Sequence, residues 1–163
     1  MKVVNKQKNS HMCIICGMEN ELGLKAPFYE MEDKSVVTVF KYQEHHQSYP
    51  GRTHGGMITC MLDELIGRAI WITEPETWGV TTNINVRFLK PVPYNEELIG
   101  VGRITKSNRF LFEAEGHIQD RQGNVLAKAT ATYFKLKEEQ IVEDPEHNND
   151  MFIVPDEVTE IDF

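Results

Sequence analysis

Residues 55–73 constrain the fold most strongly, because they are predicted to form one helix with an apolar surface on most sides. Apolar side chains recur at helical spacing from Met57 to Ile70. They cover most of the circumference, which is typical of a helix buried on most sides. Pro75 lies just beyond the expected end, where helices often stop. The rest of the chain must therefore supply a layer that surrounds this helix.

Strand patterns fill most of the remaining sequence. Residues 1–20 and the Pro50-containing stretch 43–54 are predicted loops. Small residues share one face of the last strand, which would let a helix lie close to the sheet: Ala127, Ala129 and Ala131. We predict an α+β fold, with a long antiparallel β-sheet wrapped around one central α-helix. The predicted strands cover residues 35–42, 80–92, 98–105, 109–119 and 125–136.

The acidic residues are concentrated at the C-terminal end. The net charge is −8, but residues 138–163 hold ten acidic residues and no Lys or Arg, so the rest of the chain is near +2. We therefore divide the chain into an N-terminal loop segment (1–23), a folded domain (24–137) and an acidic C-terminal extension (138–163).

Charge and hydropathy also limit the partners. No basic stripe stands out, which argues against a nucleic-acid partner. No stretch approaches the ~20 apolar residues of a membrane helix, so we expect no membrane partner. The first ten residues lack the apolar core of a signal peptide, so we expect a cytoplasmic protein.

Two of the three cysteines form a Cys-x-x-Cys-Gly motif at Cys13 and Cys16. This spacing suits half of a zinc site or a redox pair. A full zinc site needs four ligands, and His11 is the only nearby extra donor in the sequence. We therefore expect an ordered turn with reduced thiols and no metal.

Two glycines, Gly55 and Gly56, stand at the start of the predicted helix, after His54. Glycines there leave the backbone N–H groups uncovered, and the helix dipole adds positive potential. Such an end can hold an anion or polarise a carbonyl oxygen. A tight turn that merely requires two glycines would produce the same sequence.

Two carboxylates, Asp63 and Glu64, lie in the middle of this apolar helix, where they are costly unless paired or functional. Glu64 has an ion-pair candidate in Arg68, four residues later. Asp63 is eight residues from Gly55, or about 12 Å along a helix. That is too far for both groups to act on one carbonyl. If they share a site, the two groups come from two helices, which predicts a homodimer.

The stretch HGGMITCMLDELIG resembles the active-site helix of hotdog-fold acyl-CoA thioesterases. The phenylacetate-pathway (PaaI-like) branch and the 4-hydroxybenzoyl-CoA thioesterases are the most similar. The likeness runs from about residue 13 to 136 and includes CIICG, NELGLK, YPGRTHGG, VRFLKPV and GNVLAKATATY. It implies a hotdog fold over residues 24–137, hydrolysis of an acyl-CoA, no cofactor beyond the CoA of the substrate, and a homodimer or homotetramer.

The resemblance also implies roles for individual residues. Gly55 and Gly56 would supply the oxyanion hole, and Asp63 of the partner subunit would attack the thioester or activate water. Thr81, with Thr82 as a near alternative, would orient that water. His54 would shape the loop and touch the thioester.

Further site residues follow from the same resemblance. Ser48 stands where some relatives carry a water-orienting Asn. The phosphates of the CoA arm would meet three basic side chains, Arg87, Lys90 and Arg109.

Two other functions remain open at this point. A hydroxyacyl dehydratase of the same fold pairs a loop His with a helix acid, which His46 or His54 with Glu64 would imitate. The Phe-Pro that usually follows the His of such loops is missing here. A protein that binds acyl-CoA without hydrolysing it is the other alternative, because Ser48 replaces the water-orienting Asn.

Overall fold

The computed structural model describes residues 1–142 and 150–163, so Glu143, Asp144 and Glu146 of the predicted acidic extension lie outside it. Its described part contains one α-helix, α1 (Gly55–Gly67), and three short 3-10 turns at Glu44–His46, Arg68–Ile72 and Glu138–Gln140. The strands are β1 (Val3–Lys6), β2 (Tyr29–Met31), β3 (Val36–Phe40), β4 (Gln47–Tyr49), β5 (Arg52–Thr53), β6 (Trp78–Phe88), β7 (Leu98–Ser107), β8 (Leu111–Gln119) and β9 (Val125–Leu136).

Seven strands form one antiparallel sheet in the order β1-β2-β3-β7-β8-β9-β6, and β4 and β5 form a separate hairpin. Helix α1 packs against five strands of the large sheet, β3 and β6–β9. Its buried residues join the main core: Ile58, Met61, Leu62, Leu65 and Ile66. The predicted α+β fold, a long antiparallel sheet around one central helix, is confirmed.

The element boundaries differ from the prediction at several places. The predicted loop over residues 43–54 contains the short strands β4 and β5, β2 was not predicted, and β6 covers Trp78–Phe88 rather than residues 80–92. The α-helix ends at Gly67, and Arg68–Ile72 continue as a 3-10 turn rather than as helix to residue 73. The predicted loop over residues 1–20 is wrong at Val3–Lys6, which pairs with β2. The side chains of this short strand are exposed or half-buried, so it carries no alternating apolar pattern.

The helix lies close to the sheet because the facing strands carry very small residues. A Cβ at Gly116 would lie 2.5 Å from Ile66 Cγ2 and 2.6 Å from the Val101 carbonyl oxygen. The three alanines of β9 are buried beneath the helix, as their shared face predicted: Ala127, Ala129 and Ala131. No methyl group fits at residue 116 unless the helix or strand β7 moves.

We expect Gly116→Ala to destabilise the fold by about 1–3 kcal/mol, the usual cost of overpacking a core. Glu115→Ala is the matched control, because its exposed side chain leaves the opposite face of β8. It should change stability by less than about 0.5 kcal/mol. Urea denaturation of both variants measures the difference, and equal free energies of unfolding would contradict the packing argument.

The end of the chain runs along the N-terminal segment. Asn9 pairs with Phe152 and Lys2 with Glu160 in isolated antiparallel bridges. Lys6 Nζ lies 2.5 Å from Asp156 Oδ2. The acidic extension is therefore docked where the structure describes it. No helix in the described ranges has the length and apolar character to cross a membrane.

An ion pair joins strand β9 to the connection between α1 and β6. Lys135 Nζ lies 2.5 Å from Glu74 Oε1, and the lysine side chain is only 9% exposed. The hydrogen bond from Lys135 lowers the pKa of Glu74 below its ordinary value of 4.5. The unfolded chain therefore binds more protons at this group than the folded chain, and the pair stabilises the fold more as pH rises.

We expect the free energy of unfolding of wild type to exceed that of Glu74→Gln above about pH 5. The difference should shrink as pH falls below the ordinary carboxyl pKa, because the folded state then takes up its proton. Urea denaturation at a series of pH values measures it. A difference that stays constant would show that Glu74 acts through packing alone. Glu139→Gln, at an exposed carboxylate, is the control.

Candidate active site

The N-terminus of α1 leaves backbone N–H groups without a partner among the described residues. His54 is the N-cap, and its Nδ1 accepts a hydrogen bond from the Gly56 N–H at 2.9 Å. The Gly55 N–H has no acceptor within the described residues. The cap therefore uses the N–H of Gly56 and leaves that of Gly55 available, and the role of either glycine in an oxyanion hole stays a prediction.

Asp63 is held by two hydroxyl groups from the sheet. Thr81 Oγ1 donates to Asp63 Oδ1 at 2.8 Å, and Tyr133 OH reaches the same oxygen at 3.0 Å. The Tyr133 OH also lies 2.9 Å from the Asp63 carbonyl oxygen. The other carboxylate oxygen, Oδ2, has no hydrogen-bond partner among the residues described. Thr82, the alternative to Thr81, donates to the Thr132 carbonyl within the sheet instead.

Tyr133 was not among the predicted site residues. Its ring is buried and stacks on Phe112, with centroids 4.7 Å apart. Burial, followed by the negative charge of Asp63, raises the pKa of the Tyr133 hydroxyl far above its usual value, so it stays a donor. The signal was available, because Tyr133 continues the inward-facing series that begins with Ala127.

A cavity of about 330 Å³ lies beside the carboxylate. Asp63 and Thr81 line it together with Trp71 and Trp78. The two indole rings meet edge to face, with centroids 5.6 Å apart. An apolar wall next to an available carboxylate oxygen suits a substrate with an apolar group beside its reacting bond.

Glu64 lines the same cavity, but its carboxylate is held in an ion pair with Arg68. Arg68 Nε donates to Glu64 Oε1 at 2.8 Å, and Arg68 is buried. The guanidinium group also binds the Lys8 carbonyl oxygen and stacks on the rings of Phe28 and Trp71. The ion pair foreseen from the four-residue spacing is therefore present, and it occupies one oxygen of Glu64.

The two histidines of the dehydratase alternative do not form a pair with Glu64. His46 Nδ1 accepts from the Gln43 N–H, and its Nε2 lies 2.7 Å from the Leu22 carbonyl oxygen, so both ring nitrogens are used. Burial lowers the pKa of His46. His54 caps a helix on which Glu64 lies ten residues later, about 15 Å along the axis.

The remaining predicted site residues lie at the surface and far from one another: Ser48, Arg87, Lys90 and Arg109. Ser48 is exposed in β4. Arg87 lies near the C-terminal end of β6, and Lys90 Nζ is 3.3 Å from Asn124 Oδ1 just beyond it. Arg109 belongs to the turn between β7 and β8, at the Val80 end of β6 as the strand register shows. About 20 Å of strand separates these ends, so the three cations share no site within one chain.

The cysteine motif contacts the same region. Cys13 and Cys16 line the cavity beside Asp63, and Cys13 Sγ lies 3.9 Å from Glu64 Oε2. The hydrogen bond between the two thiols lowers the pKa of Cys13 to about 7. His11, the extra donor suggested by the sequence, binds Glu19 instead, at 2.7 Å.

Residues 50–127 match the model of the thioesterase superfamily, and this range contains α1, Asp63 and strand β6. This range is just under half of the chain, and over it the chain is similar to the thioesterase superfamily. The family resemblance read from the helix motif is thereby confirmed, and so is the fold that it implied.

Individual relatives and solved structures are similar to this chain as well. The mouse (Mus musculus) acyl-coenzyme A thioesterase THEM4 is 29% identical over 124 residues, which are 75% of this chain and 53% of that protein. This chain thus spans about half of that relative. A thioesterase superfamily crystal structure has a TM-score of 0.69 at 24% identity, over 76% of this chain and 63% of its own. A Streptococcus pneumoniae hypothetical thioesterase with coenzyme A has a TM-score of 0.61 at 25% identity, over 69% and 86%.

We expect Arg68→Met to lower the free energy of unfolding by about 3 kcal/mol, because it leaves the Glu64 carboxylate half-buried without its partner. Arg103→Met is the control. Arg103 is half exposed and 3.6 Å from Asp33, an ion pair that should contribute less than about 1 kcal/mol. Equal losses in urea denaturation would show that the burial of Arg68 does not matter.

Proposed function

We propose that this protein hydrolyses acyl-CoA thioesters, with Asp63 as the reacting carboxylate. The observation that carries the proposal is the asymmetry of that carboxylate. Oδ1 is fixed by Thr81 and Tyr133, while Oδ2 has no partner in the described residues and the side chain lines a cavity to which aromatic and charged side chains both contribute.

The relatives support acyl-CoA as the substrate class. THEM4 is named an acyl-coenzyme A thioesterase, and the S. pneumoniae protein was crystallised with coenzyme A. The cavity beside Asp63 would take the acyl group.

The chemistry requires one base or nucleophile and one oxyanion site. Asp63 Oδ2 removes a proton from water as the water oxygen attacks the thioester carbon. The negative charge that develops on the carbonyl oxygen is stabilised by the Gly55 N–H and the positive end of the α1 dipole. The C–S bond then breaks, and the CoA thiolate recovers the proton from Asp63. Direct attack by Oδ2, through a mixed anhydride, would use the same two groups.

Two subunits are needed for this arrangement, because Gly55 and Asp63 lie about 12 Å apart along one helix. Strand β6 offers the place where a second copy can pair, since it is an edge strand of the sheet. Phe88, at one end of β6, packs against Gly55, whereas Thr81, near the other end, binds Asp63. Two β6 strands paired antiparallel about their middle would bring Asp63 of one chain towards Gly55 of the other.

The same pairing gives the basic residues a role. Arg87 and Lys90 lie at one end of β6 and Arg109 at the other. Antiparallel pairing places opposite ends side by side across the interface. The phosphates of CoA would then meet cations from both chains. A homodimer or a tetramer of two such dimers satisfies this geometry, and no resident cofactor takes part in the steps above.

We expect Asp63→Asn to lower kcat by at least ~100-fold on an acyl-CoA panel of short, medium, long and aromatic chains, with thiol release as the measurement. Glu113→Gln, an exposed carboxylate on β8, should retain wild-type rates. Turnover that survives in Asp63→Asn would remove Asp63 from the site. Binding of acyl-CoA by wild type without any turnover would instead identify a binding protein.

A complementation experiment tests the shared site. Gly55→Pro removes the N–H at the first helical position, where proline is tolerated, and His54 already has an extended backbone that suits a following proline. Neither Gly55→Pro nor Asp63→Asn should be active alone. Dimers assembled at random from both should regain about a quarter of wild-type activity, because mixed dimers contain one intact site. No recovery in verified mixed dimers would place both groups in one chain.

A further inference from the structure

Three potential metal ligands converge on one side of α1. Cys13 Sγ, Cys16 Sγ and a carboxylate oxygen of Glu64 all lie within 4.8 Å of one another. Cys13 Sγ is 3.9 Å from Glu64 Oε2. No other cluster of three such groups occurs in residues 1–142 and 150–163. Because Glu64 is 48 residues from Cys16, the sequence motif alone did not show the third group.

We propose that Cys13, Cys16 and Glu64 bind one thiolate-preferring divalent cation, Zn²⁺ in the first place. Tetrahedral zinc with bonds of about 2.3 Å to sulfur and about 2.1 Å to oxygen holds these ligand atoms about 3.6–3.8 Å apart. The observed separation of 3.9 Å between Cys13 Sγ and Glu64 Oε2 nearly matches this edge. The fourth ligand is water from the cavity that Cys13, Cys16 and Glu64 line.

The turn that carries the cysteines is built to present sulfur atoms. The Ile15 N–H donates to Cys13 Sγ at 3.3 Å, and Ser10 Oγ lies 3.4 Å from Cys16 Sγ. The Gly17 N–H closes the turn on the Cys13 carbonyl oxygen at 2.8 Å. A Cβ at Gly17 would lie 2.4 Å from that oxygen, so only glycine fits. A backbone donor to sulfur favours the thiolate that a metal requires.

The carboxylate is oriented in the way that metal ligands usually are. Arg68 holds Oε1 of Glu64 through both Nε and a terminal nitrogen, each at 2.8 Å, and leaves Oε2 towards Cys13. A hydrogen bond to the carboxylate oxygen that does not bind the metal fixes the orientation of the ligating side chain. The charges also balance: a divalent cation that replaces two thiol protons adds no net charge to a site that already contains Glu64 and Arg68.

The bound cation would fasten the N-terminal turn to α1 at the residue after Asp63. Its role is structural, because metal binding would fix one wall of the cavity that contains the reacting carboxylate. This inference revises the expectation of reduced thiols without metal, and it does not depend on acyl-CoA hydrolysis.

Cobalt titration of the reduced, metal-free full chain tests the site. We expect one Co²⁺ per chain, with the thiolate-to-cobalt charge-transfer band and the visible bands of tetrahedral cobalt, both removed by Zn²⁺. Cys13→Ala and Cys16→Ala should lose these bands, and Glu64→Gln should weaken binding at least ~10-fold. Cys60→Ala, at the exposed third cysteine, should bind like wild type.

Several outcomes would overturn the proposal. Folded, reduced wild type that binds no Co²⁺, or binds it without a thiolate band, excludes the site. So does a cobalt spectrum that persists in Cys13→Ala or disappears in Cys60→Ala. If Cys16→Ala fails to fold, Cys13→Ala decides, because Cys13 is only half-buried. Circular dichroism before each titration identifies folded variants, and thiol counting excludes a Cys13–Cys16 disulfide.

Discussion

The close approach of α1 to the sheet is the contact on which the rest of the structure depends. Glycine and alanine on the inner strands bring the helix near enough that Thr81 and Tyr133 reach Asp63. Larger residues at Gly116 or Ala129 would lift the helix from the sheet. The Asp63 carboxylate would then lose the two hydroxyl groups that orient it. The packing of the core therefore determines the geometry of the site.

Much of the fold could be predicted because its signals are local. The change from helical to alternating apolar periods located α1 and strands β6–β9. Asp63 and Thr81 followed from the family motif, and the Glu64–Arg68 ion pair followed from the four-residue spacing. Each of these features depends on residues close in sequence or on a pattern that repeats within one element.

The features that escaped prediction depend on contacts between distant residues or on short elements. Strand β1 has no apolar alternation, and β2 has only three residues. Tyr133 reaches Asp63 across 70 residues. Cys13 and Glu64 are in contact although they are 51 residues apart in the sequence. The hydrogen bond from the Gly56 N–H to His54 depends on the rotamer of the His54 side chain. Of these, only Tyr133 leaves a pattern in the sequence, the alternating face of β9 that it shares with Ala127, and that pattern does not show its contact with Asp63.

The two tryptophans have an optical consequence. They are the only ones in the sequence, and both line the cavity beside Asp63. Both also line a neighbouring cavity against the N-terminal strand, so intrinsic tryptophan fluorescence reports on the wall between these two cavities. Because the indole planes are inclined at 69° and their centroids are 5.6 Å apart, we expect their transitions to couple and to give an exciton signal in the circular dichroism that depends on the shape of this wall.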